Sequence, residues 1–120
     1  MNILKNLCSL KNRTAVITGA SGYLAEKISL ILADLGANLI LISRSRNYKN
    51  NYDQKLISLY PNIKIKKMIC DLSSEKNRNN LIKKLNKEKI NILINNATYK
   101  ENNLKGYASK FKKQNLKKWR

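Results

Sequence analysis

The chain has no histidine, two cysteines, and a single residue each of proline, tryptophan and phenylalanine among its 120 residues. Cys8 and Cys70 are far apart in sequence and lack the short ligand spacing of a zinc site. Without histidine, a triad that uses an imidazole base is also excluded. Two separated thiols fit a reducing compartment, and we expect a cytoplasmic protein.

Long apolar runs are also missing. No stretch approaches the ~20 apolar residues that a membrane-spanning helix needs, and no membrane partner is expected. Residues 1–8 alternate apolar side chains with Lys5 and two asparagines, which is unlike the apolar centre of a signal peptide. The length predicts one domain over residues 1–120.

Acidic residues are scarce. The chain has seven aspartates and glutamates but 25 lysines and arginines, which gives a formal net charge of +18. Such a charge raises the alternative of a nucleic-acid-binding protein. The densest basic cluster, with Phe111 and Trp119 interleaved, comprises Lys110, Lys112, Lys113, Lys117 and Lys118. Because the other cations are spread along the whole chain, a lysine-covered surface explains most of the charge, and nucleic acid is not the favoured partner.

Two of the four glycines form the most informative motif. An apolar run over residues 15–17 leads into Thr18 and Gly19, and Gly22 follows three positions later. A helical pattern then begins, with apolar residues at steps of three and four. A glycine turn between a strand and a helix N-terminus is the layout of a dinucleotide-binding site, in which free amides and the helix dipole favour a pyrophosphate.

Strands and helices alternate along the chain. We predict strands over about residues 13–18, 38–42, 63–69 and 90–94, and helices over about 22–35, 52–60, 74–86 and within 110–120. Gly36 is placed for a left-handed helix cap. The early alternation of the third strand predicts a sheet edge, and Leu81, Ile82 and Leu85 are predicted to face inward from the third helix. The pattern predicts a doubly wound parallel α/β sheet of Rossmann type, incomplete at about four strands.

These residues together resemble the short-chain dehydrogenase/reductase family. The resemblance rests on Thr18-Gly19 after the first strand, Gly36-Ala37 before the second, Asp71-Leu72 after the third and Asn95-Asn96-Ala97 after the fourth. The last run matches three of the four residues of the family's Asn-Asn-Ala-Gly signature. The resemblance implies an oxidoreductase that transfers hydride between a nicotinamide cofactor and a small-molecule carbonyl or alcohol substrate.

Two departures leave alternatives open. The glycine spacing, Thr-Gly-x-x-Gly-x-x-Ala, is closer to the extended branch of the family, which includes sugar-nucleotide dehydratases and epimerases, whereas Asn95-Asn96-Ala97 favours the classical branch. Thr98 stands where the signature ends in glycine. A nucleotide-binding protein without catalysis is a further alternative.

The resemblance also implies cofactor-binding roles. Gly19, Ser21, Gly22, Tyr23 and Leu24 would lie along the pyrophosphate, Ser43 and Arg44 at the adenosine ribose, Asp71 and Leu72 at the adenine, and Asn95, Asn96 and Ala97 near the nicotinamide-side ribose. An acid after the second strand would mark NAD. Arg44 and Arg46 stand there instead, and two guanidiniums could hold a 2′-phosphate, so NADP is favoured over NAD.

The family's catalytic serine and Tyr-x-x-x-Lys lie beyond the fourth strand, and no catalytic residue is assigned in this sequence. Tyr23…Lys27 and Tyr60…Lys64 match the spacing but belong to the adenine half of the fold or its periphery. We therefore expect an N-terminal portion of an enzyme that is inactive alone. Its apolar fourth strand would be an open sheet edge prone to self-association.

Overall fold

The computed structural model describes residues 3–98 as a four-stranded sheet with helices on both faces. The elements are α1 (Ile3–Leu7), β1 (Thr14–Ile17), α2 (Tyr23–Asp34), β2 (Asn38–Ser43), a 3₁₀ turn (Lys49–Asn51), α3 (Tyr52–Leu59), β3 (Ile65–Ile69), α4 (Glu75–Leu85) and β4 (Ile92–Ile94). The helix predicted within residues 110–120 lies outside the described residues. No helix in the described range is long and apolar enough to cross a membrane.

The strands lie in the order β3-β2-β1-β4, and every neighbouring pair is parallel. The predicted doubly wound α/β fold is therefore confirmed, and β3 is an edge strand as its alternating pattern predicted. β4 is shorter than predicted, although the amide of Asn91 still donates to the carbonyl of Thr14 at 2.9 Å. The chain runs outward from β1 through β2 to β3 and then returns across the sheet to place β4 beside β1. The strand order therefore reverses between β1 and β4, which opens a crevice at the carboxyl ends of these two strands.

Successive side chains of the two central strands point alternately into two separate apolar cores, one on each face of the sheet. Ala15, Ile17, Leu39 and Leu41 pack in the core on the side of α2 and α3. Val16, Ile40 and Ile42 pack in the core on the opposite side, where Leu81 of α4 covers them. The unbroken apolar run of β2 is thus buried on both faces, as the sequence predicted.

The helix faces differ in part from the pattern of large apolar residues. In α2 the buried side chains include the small residues Ala25, Ser29 and Ala33, whereas Leu24 and Ile31 are exposed. Small residues let the helix approach the sheet closely. In α4 the prediction that Ile82 faces inward is wrong, since Ile82 is 54% exposed. Consecutive residues of a helix point in different directions, so Ile82 faces outward when Leu81 faces the core.

The end of α2 follows the predicted cap. Gly36 has φ +94°, a left-handed conformation that favours glycine. Its amide donates to the carbonyl of Ala33 at 2.9 Å, and the amide of Ala37 donates to that of Leu32 at 3.0 Å. The chain turns there directly into β2.

Candidate functional site

A cleft of about 940 Å³ opens at the carboxyl ends of the strands. Loops that follow all four strands contribute to it. Among the residues predicted for the site, it is lined by Gly19, Ser21, Gly22, Tyr23, Leu24, Ser43, Arg44, Asp71, Leu72, Asn96 and Ala97. Asn95 is exposed and is not among the lining residues.

Gly19 is required by a close contact as well as by the turn. Its φ is +61°, and a Cβ there would lie 2.8 Å from Cα of Ala97, in the loop after β4. Gly22 is different, because the nearest neighbour of an added Cβ is the carbonyl oxygen of Gly19 at 3.6 Å. Gly19 therefore brings two loops together, and Gly22 leaves room on the cleft side of the turn.

The turn presents unpaired amides to the cleft. Within residues 3–98, the backbone N–H groups of Ser21, Tyr23 and Leu24 donate to no backbone carbonyl, and the first bond of α2 runs from Glu26 to the carbonyl of Gly22. No side chain caps this helix end. Free amides at the positive end of a 12-residue helix form an arrangement that binds a phosphate.

Thr18 fastens the loop after β4 to the glycine turn. Its buried hydroxyl oxygen accepts bonds from the amides of Asn96 at 3.1 Å and Ala97 at 3.0 Å. The side-chain amide of Asn96 donates to the carbonyl of Gly19 at 3.2 Å. Thr18 was not predicted as a site residue. Its signal in the sequence is a hydroxyl residue directly before the glycine turn.

The end of β2 contributes one guanidinium to the cleft. Arg44 lines it, whereas Arg46 lines a separate cavity of about 250 Å³ together with Tyr48 and Lys67. The hydroxyl of Ser43 donates to the carbonyl of Ser45 at 2.8 Å and accepts its amide at 3.0 Å, so it shapes the loop that carries Arg44. The expectation that both arginines serve one phosphate is not supported by this placement.

Asp71 holds the loop after β3. Its Oδ1 accepts bonds from the backbone amide of Ser73 at 3.0 Å and from its hydroxyl at 2.7 Å. These bonds, with a smaller contribution from the charge of Arg44, lower the pKa of Asp71 below its usual value. The charges of Asp71 and Arg44 therefore interact where the loops after β3 and β2 line the cleft.

Two lysine side chains lie close to the ring of Tyr23, the first residue of α2. The Lys27 and Lys49 ammonium nitrogens lie 5.2 and 5.4 Å from the centre of the exposed Tyr23 ring. Lys27 therefore packs on the ring face of Tyr23. Tyr60 does not line the cleft, and its hydroxyl lies 3.5 Å from Asp34. Across the part of the chain that the structure describes, no group of three or more Cys, Asp or Glu residues could hold a metal ion.

The family model for the short chain dehydrogenases matches residues 13–120. The chain belongs to this family. It is 30% identical over 101 residues to the very-long-chain 3-oxoacyl-CoA reductase let-767 of Caenorhabditis briggsae, covering 79% of this chain and 32% of that protein. It is 36% identical over 90 residues to the chloroplastic short-chain dehydrogenase TIC 32 A of Brassica napus, covering 72% of this chain and 28% of that protein. The chain thus spans less than a third of the length of either relative.

Several solved structures share the fold of this chain. The 3-oxoacyl (acyl-carrier-protein) reductase of Agrobacterium tumefaciens with NADP bound has a TM-score of 0.71 at 24% identity, covering 94% of this chain and 43% of that one. The Pseudomonas aeruginosa RhlG/NADP complex has a TM-score of 0.65 at 29% identity, covering 77% and 37%. NAD+-bound xylitol dehydrogenase has a TM-score of 0.66 at 23% identity. Two of these three neighbours contain NADP and the third contains NAD+.

Proposed function

We propose that this chain is the NADP(H)-binding part of a short-chain dehydrogenase/reductase acting on a carbonyl or alcohol substrate. The observation that carries the choice of NADP is the position of Arg44 in the cleft directly after β2. The residues at that strand end, Ser43 to Arg46, include no carboxylate to bind a ribose 2′-hydroxyl. A guanidinium there can bind the 2′-phosphate through two parallel bonds.

A dinucleotide would lie along the cleft. The free amides of Ser21, Tyr23 and Leu24 would bind the pyrophosphate. Arg44 and the Ser43 loop would hold the adenosine ribose, and Asp71 and Leu72 would border the adenine. The resemblance assigns the nicotinamide-side ribose to the loop of Asn95, Asn96 and Ala97, although Asn95 does not line the cleft in this structure.

The bound cofactor would supply the hydride, while the residues described here bind and orient it. We assign no catalytic residue within residues 3–98. The family resemblance places the serine and the Tyr-x-x-x-Lys after the fourth strand. We therefore expect the 120-residue chain to bind cofactor without turning over substrate.

We also propose a cytoplasmic location for this chain, as the sequence predicts.

Calorimetric titration of the chain with NADP+ and NAD+ tests the cofactor proposal. Arg44→Ala should weaken NADP+ binding about 10- to 100-fold, because it removes charge-assisted hydrogen bonds, and leave NAD+ binding within about twofold. Arg46→Ala is the matched control, since it removes the same charge two residues away and outside the cleft. Tighter binding of NAD+ than NADP+ by the unmodified chain, or equal losses for both cofactors in Arg44→Ala, would contradict the proposal.

A further inference from the structure

Two carbonyl groups of the glycine turn are bonded from a segment more than 25 residues later in the chain. The hydroxyl of Tyr52 donates to the carbonyl of Ala20, and the backbone amide of Lys49 donates to the carbonyl of Ser21 at 3.0 Å. Both donors come from the 3₁₀ turn and the first residue of α3. Tyr52 belongs to the buried core, so its hydroxyl holds the turn from the core side, and Lys49 binds the neighbouring carbonyl.

Peptide geometry links the Ala20 carbonyl to the cleft. A trans peptide unit is planar, and its C=O and N–H point in opposite directions. The carbonyl of Ala20 and the amide of Ser21 belong to one such unit. Because Tyr52 binds that carbonyl from the core, the Ser21 amide is directed away from the core, where it is one of the unpaired donors.

Tyr52 is well fixed for this task. It is 1% exposed, and its ring packs edge-to-face on that of Tyr48 with the ring centres 5.3 Å apart. Burial raises the pKa of Tyr52 to about 12. The phenol is therefore protonated, and able to donate its hydrogen bond, throughout the neutral pH range.

The chain before Tyr52 adopts an unusual conformation that supports the same contact. Asn50 and Asn51 both have left-handed backbones, with φ of 55° and 51°. Asparagine tolerates this conformation better than most residues. The side-chain amide of Asn50 also donates to Oε2 of the buried Glu26 in the first turn of α2, at 3.5 Å. The left-handed backbone of these two residues thus places both Lys49 and Tyr52 within hydrogen-bond distance of the glycine turn.

We propose that Tyr52 is a positioning residue for cofactor binding: its hydroxyl holds the Ala20–Ser21 peptide so that the Ser21 amide faces the pyrophosphate. The inference rests on the proposed function, because it needs a dinucleotide in the cleft. It assigns the hydroxyl no contact with the cofactor. Its loss should weaken binding through the pyrophosphate and spare binding through the adenosine 2′-phosphate.

Tyr52→Phe removes the hydroxyl and keeps the ring. It should weaken NADP+ binding about 5- to 10-fold by calorimetry, the effect of one or two misdirected hydrogen bonds. Adenosine 2′-phosphate, which has no 5′-phosphate, should bind within about twofold of the unmodified chain in an NMR titration. In the ligand-free chain, hydrogen exchange at Ser21 should change while that of β2 does not. Tyr48→Phe is the matched control: a neighbouring buried phenol that does not bond the turn.

A second pair of variants avoids the core and keeps the inference testable if Tyr52→Phe does not fold. Asn51 is exposed, and Asn51→Ala strains its left-handed backbone whereas Asn51→Gly accommodates it. Asn51→Ala should weaken NADP+ binding about 2- to 5-fold with adenosine 2′-phosphate unaffected, and Asn51→Gly should leave both unchanged.

The outcomes separate this inference from the proposed function. An unmodified chain that binds neither NADP+ nor NAD+ overturns both. An unmodified chain that binds NADP+, with Tyr52→Phe binding it equally well, overturns only the role of Tyr52. Equal weakening of NADP+ and adenosine 2′-phosphate in Tyr52→Phe would also overturn it, because a general structural role would affect both ligands.

Discussion

Gly19 and Gly22 lie in one motif, but the structure makes different demands on them. Gly19→Ala places a methyl group 2.8 Å from Cα of Ala97 on a backbone with φ +61°. We expect it to lower the free energy of unfolding by about 2 kcal/mol or more. Gly22→Ala has open space and a φ of −91°, so its cost should stay below about 1 kcal/mol.

Urea unfolding and cofactor titration of the two variants check this division. Gly22→Ala should fold nearly as well as the unmodified chain and yet bind NADP+ more weakly, because Gly22 lines the cleft and the added methyl group takes up space there. Equal loss of stability in the two variants would show that the contact between Gly19 and Ala97 is not the controlling one.

At the residue scale, the sequence predicted the groups that belong to contiguous motifs. Gly19, Arg44 and Asp71 each lie within two residues of the carboxyl end of a strand, so strand prediction alone placed them at one end of the sheet. Thr18 and Tyr52 could not be assigned in this way. Their roles depend on partners 78 and 32 residues distant in sequence, and those distances close only when the sheet forms.

At the scale of elements, an ion pair joins α3 to the edge of the sheet. Lys67 Nζ on β3 lies 2.8 Å from Oδ2 of Asp53 on α3. Asp53 is buried, with 5% of its surface exposed. Burial raises the pKa of Asp53, but the hydrogen bond and charge of Lys67 outweigh it and hold the pKa below the usual value. Since the folded-state pKa is the lower one, this carboxylate stabilises the fold above about pH 4, and the contribution is lost as pH falls through the folded pKa.

Lys67→Met should remove that dependence. At pH 7 the variant leaves Asp53 buried without a partner, and we expect the free energy of unfolding to fall by about 1–3 kcal/mol. This loss is smaller than that for a fully buried ion pair, because the Lys67 side chain is 38% exposed to solvent. The difference from the unmodified chain should shrink toward pH 3, where Asp53 can protonate. Lys66→Met, which removes an exposed cation paired with Glu88, is the control for charge. A difference that does not vary with pH would contradict the assignment.

Element existence was predictable, whereas helix orientation was not. The apolar run of β2 and the glycine at the end of α2 specify those elements locally. The face that α2 turns to the sheet is decided by close packing at Ala25, Ser29 and Ala33, so the larger Leu24 and Ile31 lie outside. The five-residue helix α1 was not predicted, since a segment so short carries no repeated apolar pattern.

At the scale of the whole molecule, the described sheet is covered unevenly. Among residues 3–98, β4 pairs with β1 and lies at the end of the sheet opposite β3. Leu93 is in register with Val16, so it faces the side of α4, yet it is 59% exposed while Val16 is 1% exposed. An apolar strand with an exposed face favours association of copies of the chain.

Sedimentation velocity at increasing concentration tests whether this surface drives self-association of the 120-residue chain. The weight-average mass of the unmodified chain should rise with micromolar concentration, and Leu93→Lys should reduce the rise by placing a charge on the exposed strand. Ile82→Lys adds the same charge at a comparably exposed apolar position on α4. If both variants reduce association equally, the added repulsion in a chain of net charge +18 explains the effect, and β4 is not the contact. A monodisperse monomer across the range would contradict the prediction altogether, because the exposed face of β4 would then be tolerated by the isolated chain.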